Sequence, residues 1–169
     1  NSPGGTFRPR ADGSVGARLA GRFELDAPDL AVLWPGLAGS VSGRAKLAGT
    51  RERPVIDLDA RGRSLALDGN HLAALQLRAQ VDRAGRADID FTASGLRAGT
   101  RPLGDLGAQI DGTLDAHRLR ASLHGGPVVV SLDSAGRWDG VLLHHQLSLA
   151  SVTAGGFGTW RLAGEPELV

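Results

Sequence analysis

LGAQIDGTLDAHRLRASLHGGPVVVSLDSAGRWDGVLLHHQLSL, residues 106–149, places an apolar side chain at every second position. Leu106, Ala108, Ile110 and Leu114 alternate with Gly107, Gln109, Asp111, Thr113 and Asp115. The beat slips by one after Ala116 and resumes as Leu119, Ala121 and Leu123. After Gly125-Gly126-Pro127 it returns as Val128, Val130 and Leu132, then Trp138, Gly140 and Leu142, then Leu147 and Leu149. A period of two is the signature of extended strands with one apolar and one wet face. The slips fall at turn-like residues, as they must if successive strands are to keep one face in common.

The same pattern extends outward. Residues 1–13, NSPGGTFRPRADG, are rich in Gly and Pro and read as a loose N-terminal segment, and Ser14–Leu25 reads as a strand. Pro28-Asp29 can open a single helical turn near residues 29–34, which Pro35 would stop. Trp34 is predicted to pack on the sheet or cap one end of it. Ser40–Ala48 is a further strand. From Ile56 the pattern repeats at an offset of 31 residues: Ile56, Leu58, Ala60, Leu65, Leu72 and Leu75 fall over Ala87, Ile89, Phe91, Leu96, Leu103 and Leu106. Residues 56–86 and 87–117 therefore read as two copies of one unit, each a strand, a kink near the central Leu, and another strand. Strands are expected at 118–124, 127–133, 137–143, 146–151 and 158–163, joined by short loops that favour antiparallel hairpins. The expected fold is all-β: about twelve strands in one antiparallel-rich sheet, residues 14–169.

Composition narrows the function. The chain starts at Asn1 and holds no Met, so an excised segment of a longer protein is expected. It has no Cys, which excludes disulfides and thiolate metal sites. Its 19 basic and 18 acidic residues are interleaved along the wet face, as in Asp57, Asp59, Arg61 and Arg63. No basic cluster with aromatic neighbours exists, so nucleic acid is not an expected partner. No run reaches the roughly 18 apolar residues of a membrane-spanning helix.

Catalytic patterns are missing too. No G-x-S-x-G, G-x-x-x-x-G-K-[ST] or H-E-x-x-H occurs. Gly125-Gly126 and Gly155-Gly156 break strands and do not open helices, so they are not phosphate loops. Asp57/Asp59 and Asp88/Asp90 each share a strand face, but a chain with only four Phe, three Trp and no Tyr lacks sugar platforms. Adjacent His144 and His145 point to opposite faces of a strand and share no third ligand. The expectation is no enzyme, no metal and no cofactor.

Several stretches resemble the TamB family, within the AsmA-like group of bridge-like periplasmic proteins. They are LAGSVSGRAKLAGTRERPVIDLDARGRSLAL (residues 37–67), Trp138-Asp139-Gly140, Gly158-Thr-Trp160-Arg-Leu162 with Phe157 before it, and Glu165-Pro166-Glu-Leu168. The Leu37-x-Gly39-x-x-x-Gly43 spacing adds to them. The resemblance implies a periplasmic segment of a protein anchored in the inner membrane by a helix elsewhere in the chain. It implies a long U-shaped β-groove, a β-taco, that carries phospholipid acyl chains toward the outer membrane. It also implies a TamA-type barrel partner, engaged by other parts of the full chain.

The residues suit such a groove. About twelve strands at ~4.8 Å span roughly 55 Å, more than an open twisted sheet tolerates without curling. The positions expected to face lipid are Leu58, Leu65, Leu75, Leu77, Val81, Ile89, Phe91, Leu106, Ile110, Leu114, Leu119, Leu123, Val128, Val130, Leu132, Leu142, Leu147 and Leu149. Two alternatives remain open. One is a scaffold for outer-membrane protein assembly through exposed strand edges, which would also allow edge-to-edge self-association. The other is a closed β-sandwich or solenoid that serves as a spacer, since alternation alone does not separate an open trough from a closed sandwich.

Overall fold

The computed structural model describes residues 8–15, 18–50, 53–113, 115–138, 143–162 and 167–168. Their fold is all-β: a single antiparallel sheet in which strands neighbour one another in chain order. The strands are β1 (Arg8–Val15), β2 (Arg18–Ala27), β3 (Ala38–Thr50), β4 (Pro54–Leu67), β5 (Asn70–Val81), β6 (Arg86–Ala98), β7 (Arg101–Thr113), β8 (His117–His124), β9 (Val128–Trp138), β10 (Leu143–Ala154), β11 (Gly158–Arg161) and β12 (Glu167–Leu168). β12 lies beside β10. No pairing joins β1 to β11 among the described residues, so the sheet is open.

The one helical element there is a 3₁₀ turn, Leu30–Val32. Asp29 caps it by accepting a hydrogen bond from the Ala31 N–H at 3.0 Å. Leu30 is buried, whereas Trp34, expected to pack on the sheet or cap it, stays 66% exposed.

Tight turns set the register. Asp68 and Gly69 both have positive φ, at 49° and 79°, the twist that a two-residue hairpin loop needs between β4 and β5. Between β5 and β6 the Asp82 carboxylate accepts hydrogen bonds from Ala84 N–H at 2.8 Å and Arg86 N–H at 3.0 Å. With register fixed, apolar residues stack across the sheet in four rows. The first holds Leu47, Ile56, Val81 and Ala87, then Gly112, His117, Gly136 and His145. The second holds Phe23, Ala45, Leu58, Ala79, Ile89, Ile110, Leu119, Ser134 and Leu147. Leu25, Gly43, Ala60, Leu77, Phe91, Ala108, Ala121, Leu132 and Ala150 form the third. Ala27, Val41, Gly62, Leu75, Ala93, Leu106, Leu123, Val130, Val152 and Trp160 form the fourth.

The opposite face is a lattice of charge. Arg44 faces Asp59, Asp59 faces Arg78, and Arg78 faces Asp90 across successive strands. Arg78 and Arg61 reach Asp59 at 3.4 and 3.5 Å, and Gln109 donates to Asp90 at 2.8 Å. Exposed pairs of this kind each contribute little, about 0–1 kcal/mol. Their larger effect is on register, because a one-residue slip would bring these charges to the apolar side.

Three boundaries differ from the sequence reading. Residues 8–13, read as loose, belong to β1 and pair with β2. The single strand expected at 14–25 is divided between β1 and β2. The break expected between the strands at 127–133 and 137–143 is absent, since β9 runs unbroken from Val128 to Trp138; residues 139–142 of the second expected strand lie outside the described residues. Gly136 inside β9 acts there as a site of close approach, not as a turn.

Close approach and backbone strain separate in two glycines. Gly69 has positive φ and open space where a side chain would stand, whereas at Gly104 (φ 102°) a Cβ would collide with the His124 carbonyl. Gly69→Ala should cost about 1 kcal/mol and Gly104→Ala about 3 kcal/mol or more, read as urea midpoints at unchanged m-value.

Candidate functional site: an uncovered aliphatic face

Among the described residues no second layer covers the apolar rows. The molecule exposes 11681 Å², against about 7,900 Å² for a compact monomer of this mass. Among the described residues the buried apolar side chains are Ala27, Leu30 and Ala93. Gly62, Ser134 and Gly136 in the rows are buried too, most other row positions are half-buried, and some are open to solvent: Phe23 at 46%, Val152 at 39% and Trp160 at 53% exposed. Substantial contacts between elements run between hydrogen-bonded neighbours, plus the 3₁₀ turn against β3. A closed sandwich would bury these side chains against a second sheet. Here they form a continuous aliphatic surface.

Most of the residues expected on this face lie on it. Leu58, Leu75, Leu77, Val81, Ile89, Phe91, Leu106, Ile110, Leu119, Leu123, Val130, Leu132 and Leu147 stand in the rows. Val128 continues the face opposite Ala154. Leu65 follows Ser64, whose φ of 50° shifts the strand's parity, and its side chain lies over Gly62 on the same face. Leu114 and Leu142 fall outside the described residues. Leu149 does not belong to the face. A bulge between Leu147 and Leu149 pairs Leu149 with Asp133, on the charged side, and turns Ala150 and Val152 to the apolar side. Phe23, Leu25, Val41, Leu47 and Ile56, absent from that expectation, also stand in the rows, and their alternation is visible in the sequence.

Asp133 anchors that bulge. Its two carboxylate oxygens accept a bidentate pair from Arg118 Nε and Nη2, both at 2.8 Å. Ser148, the bulged residue, donates to the Asp133 carbonyl at 3.2 Å and to its carboxylate at 3.4 Å. The hydrogen bonds from Arg118 hold the Asp133 carboxyl below the usual carboxylate range, against the opposing effect of burial.

A second polar feature sits at the end of the first row. His117 Nε2 lies 3.4 Å from His145 Nε2, with ring centroids 5.1 Å apart at 67°. His117 Nδ1 donates to the Thr113 carbonyl at 3.2 Å, and His145 Nδ1 shares a hydrogen bond of 3.1 Å with the buried Ser134 hydroxyl. Burial, with the nearby His117 ring adding to it, pushes the His145 imidazole below its ordinary value. The sequence reading examined His144 with His145 and missed this pair, whose members are 28 residues apart.

Elsewhere the surface is shallow. A concavity of about 550 Å³ on the charged face is lined by Arg10, Arg44 and Arg61 together with Glu24, Asp26 and Asp59. Such balanced charge selects neither anions nor cations. Among the described residues no group of three or more His, Asp or Glu is placed to hold a metal ion, and no helix is long and apolar enough to cross a membrane.

These features define a class: an open, single-layer antiparallel β-sheet with one bare aliphatic face. The chain belongs to the TamB family, matching the family's "TamB, N-terminal domain" over residues 6–168. It is 30% identical over 123 residues to the translocation and assembly module subunit TamB of Haemophilus influenzae, a match covering 71% of this chain and 10% of that protein. The chain thus spans about a tenth of the length of that relative. No solved structure matches it.

The two perturbed groups give two pH windows, both visible in thermal melts in EDTA buffer. His145 titrates lower when folded than when unfolded, so stability should fall as pH drops below about 6.5. Asp133 is depressed, so its contribution is present above about pH 3.9 and lost as pH falls through the folded value. His145→Gln should flatten the upper window and Asp133→Asn the lower.

Proposed function

We propose that this chain is a periplasmic section of an inner-membrane-anchored bridge protein, and that its apolar face shields phospholipid acyl chains on the way to the outer membrane. The uncovered aliphatic face carries this reading. From β1 to β11 the sheet extends about 48 Å at ~4.8 Å per strand, against the ~15 Å depth of one leaflet's hydrocarbon. Its four rows, ~6.7 Å apart along the strands, make it about 20 Å wide. Exposed patches larger than a few hundred Å² mark binding surfaces. Leu, Val, Ile and Ala offer no directional bond, and each covered methylene contributes about 0.8 kcal/mol wherever it lies. Acyl chains can therefore slide along it. Curling of the sheet into a trough would cover them further, with headgroups at the charged rim.

The family supports a place in the translocation and assembly module, with a TamA-type barrel engaged by other parts of the full protein. The 31-residue pattern fits a bridge of stacked units. Ser64 and Gly95 are that far apart, both have left-handed φ, and Leu65 and Leu96 follow them. We read β4–β5 and β6–β7 as two copies of one hairpin.

Leu77→Asp, Ile110→Asp and Val130→Asp each put a charge in the middle of a row. In the full-length protein each should cut lipid transfer between membranes by at least about tenfold, with the circular dichroism of the sheet unchanged. Native mass spectrometry should find phospholipid on the unsubstituted chain and none on the triple variant. An unsubstituted chain that carries no lipid when extracted from membranes would sink the proposal.

A second reading rests on the sheet's ends. Among the described residues β1 and β11 each have a single partner strand, β2 and β10. An unfolded outer-membrane strand could add there, as would another copy of this chain. In that case Thr159→Pro in β11 should abolish assembly activity, and the three aspartate variants should keep it.

A further inference from the structure

The histidine pair at the end of the first row interrupts its run of apolar side chains. We propose that His117 and His145 form a site for a divalent transition-metal ion of the zinc class, its remaining positions filled by water.

Zinc holds imidazole nitrogen at about 2.0–2.1 Å, so two ligand nitrogens 3.4 Å apart subtend about 110° at the metal, the tetrahedral angle. Each ring is also oriented through its other nitrogen. A carbonyl only accepts, so His117 Nδ1 carries the proton shared with Thr113 and its Nε2 presents a lone pair. His145 is held the same way when its Nδ1–H donates to the Ser134 hydroxyl. Hydrogen bonds of this type to the distal nitrogen fix ring and tautomer in metal sites. Without metal, the Ser134 hydroxyl donates instead, and His145 Nε2–H donates to His117 Nε2.

The sheet makes the site by register. His117 on β8 and His145 on β10 both stand opposite Gly136 on β9. A Cβ at Gly136 would strike His117 Nε2 and come within 2.8 Å of His145 Cε1. Only glycine there lets the two rings meet across the middle strand. A bound cation would fasten β8 to β10 over β9, at the edge of the aliphatic face where the rows turn polar.

The test is calorimetric titration of Zn²⁺ into the EDTA-stripped 169-residue chain at pH 7.5. One zinc per chain should bind with a micromolar Kd, and His117→Ala, His145→Ala and Gly136→Ala should each weaken it at least tenfold. Gly136→Ala is the sharpest of these, since both imidazoles remain. In the unsubstituted protein, zinc should shift the ¹⁵N resonances of His117 and His145 Nε2 and leave His71, His124 and His144 in place. That measurement decides even if a variant fails to fold. Absence of saturable binding, equal affinity in Gly136→Ala, or zinc shifts centred on the other three histidines would overturn the proposal.

Discussion

The structure depends on register. In a single-layer sheet no opposing layer corrects a slipped strand, so every side chain's face is decided by its pairing with the strand before it. The chain meets this requirement locally. Asp68-Gly69 closes one hairpin with paired positive φ values, and the Asp82 carboxylate ties the next. The charged lattice then penalises a slip by one residue, since Arg44, Asp59, Arg78 and Asp90 would all turn into the aliphatic rows. Neighbouring strands in chain order follow from the same logic, because short loops leave hairpins as the available connection.

A sheet held this way has no need of a conventional core. Buried apolar side chains are few, and backbone ladders with cross-strand pairs supply the order. That is why the apolar face remains available for a ligand. A sandwich with the same alternation would spend the same leucines on itself. The opposite face has to remain charged for a related reason, since two bare faces would invite stacking of one sheet on another.

Two breaks in the pattern lie on β8–β10. The Arg118–Asp133–Ser148 knot holds a bulge that exchanges the faces of β10, and the His117–Gly136–His145 row replaces aliphatic side chains with imidazoles. Strand alternation misassigns Leu149 because a bulge leaves no mark on hydrophobic periodicity: Leu147 and Leu149 look equivalent until Ser148 is seen to be unpaired. The histidine pair was legible in part. The turn at Gly125-Gly126-Pro127 sets His117 opposite Gly136, and only the pairing of β9 with β10 brings His145 to the same position. Treating 137–143 as a strand concealed it.

The sequence by itself determined the all-β class, the antiparallel meander, a single helical turn near residues 29–34 and much of the apolar alternation, because side-chain period and turn chemistry are local properties. The family resemblance was carried by the same local stretches, and the match over residues 6–168 agrees with it. Whether the apolar face would be sealed or bare was a matter for the tertiary structure, since alternation is identical in both and only the absence of a facing layer separates them. The face of Leu149 and the meeting of His117 with His145 were decided there too. Each depends on how one strand is registered against another far along the chain, and no single strand records that.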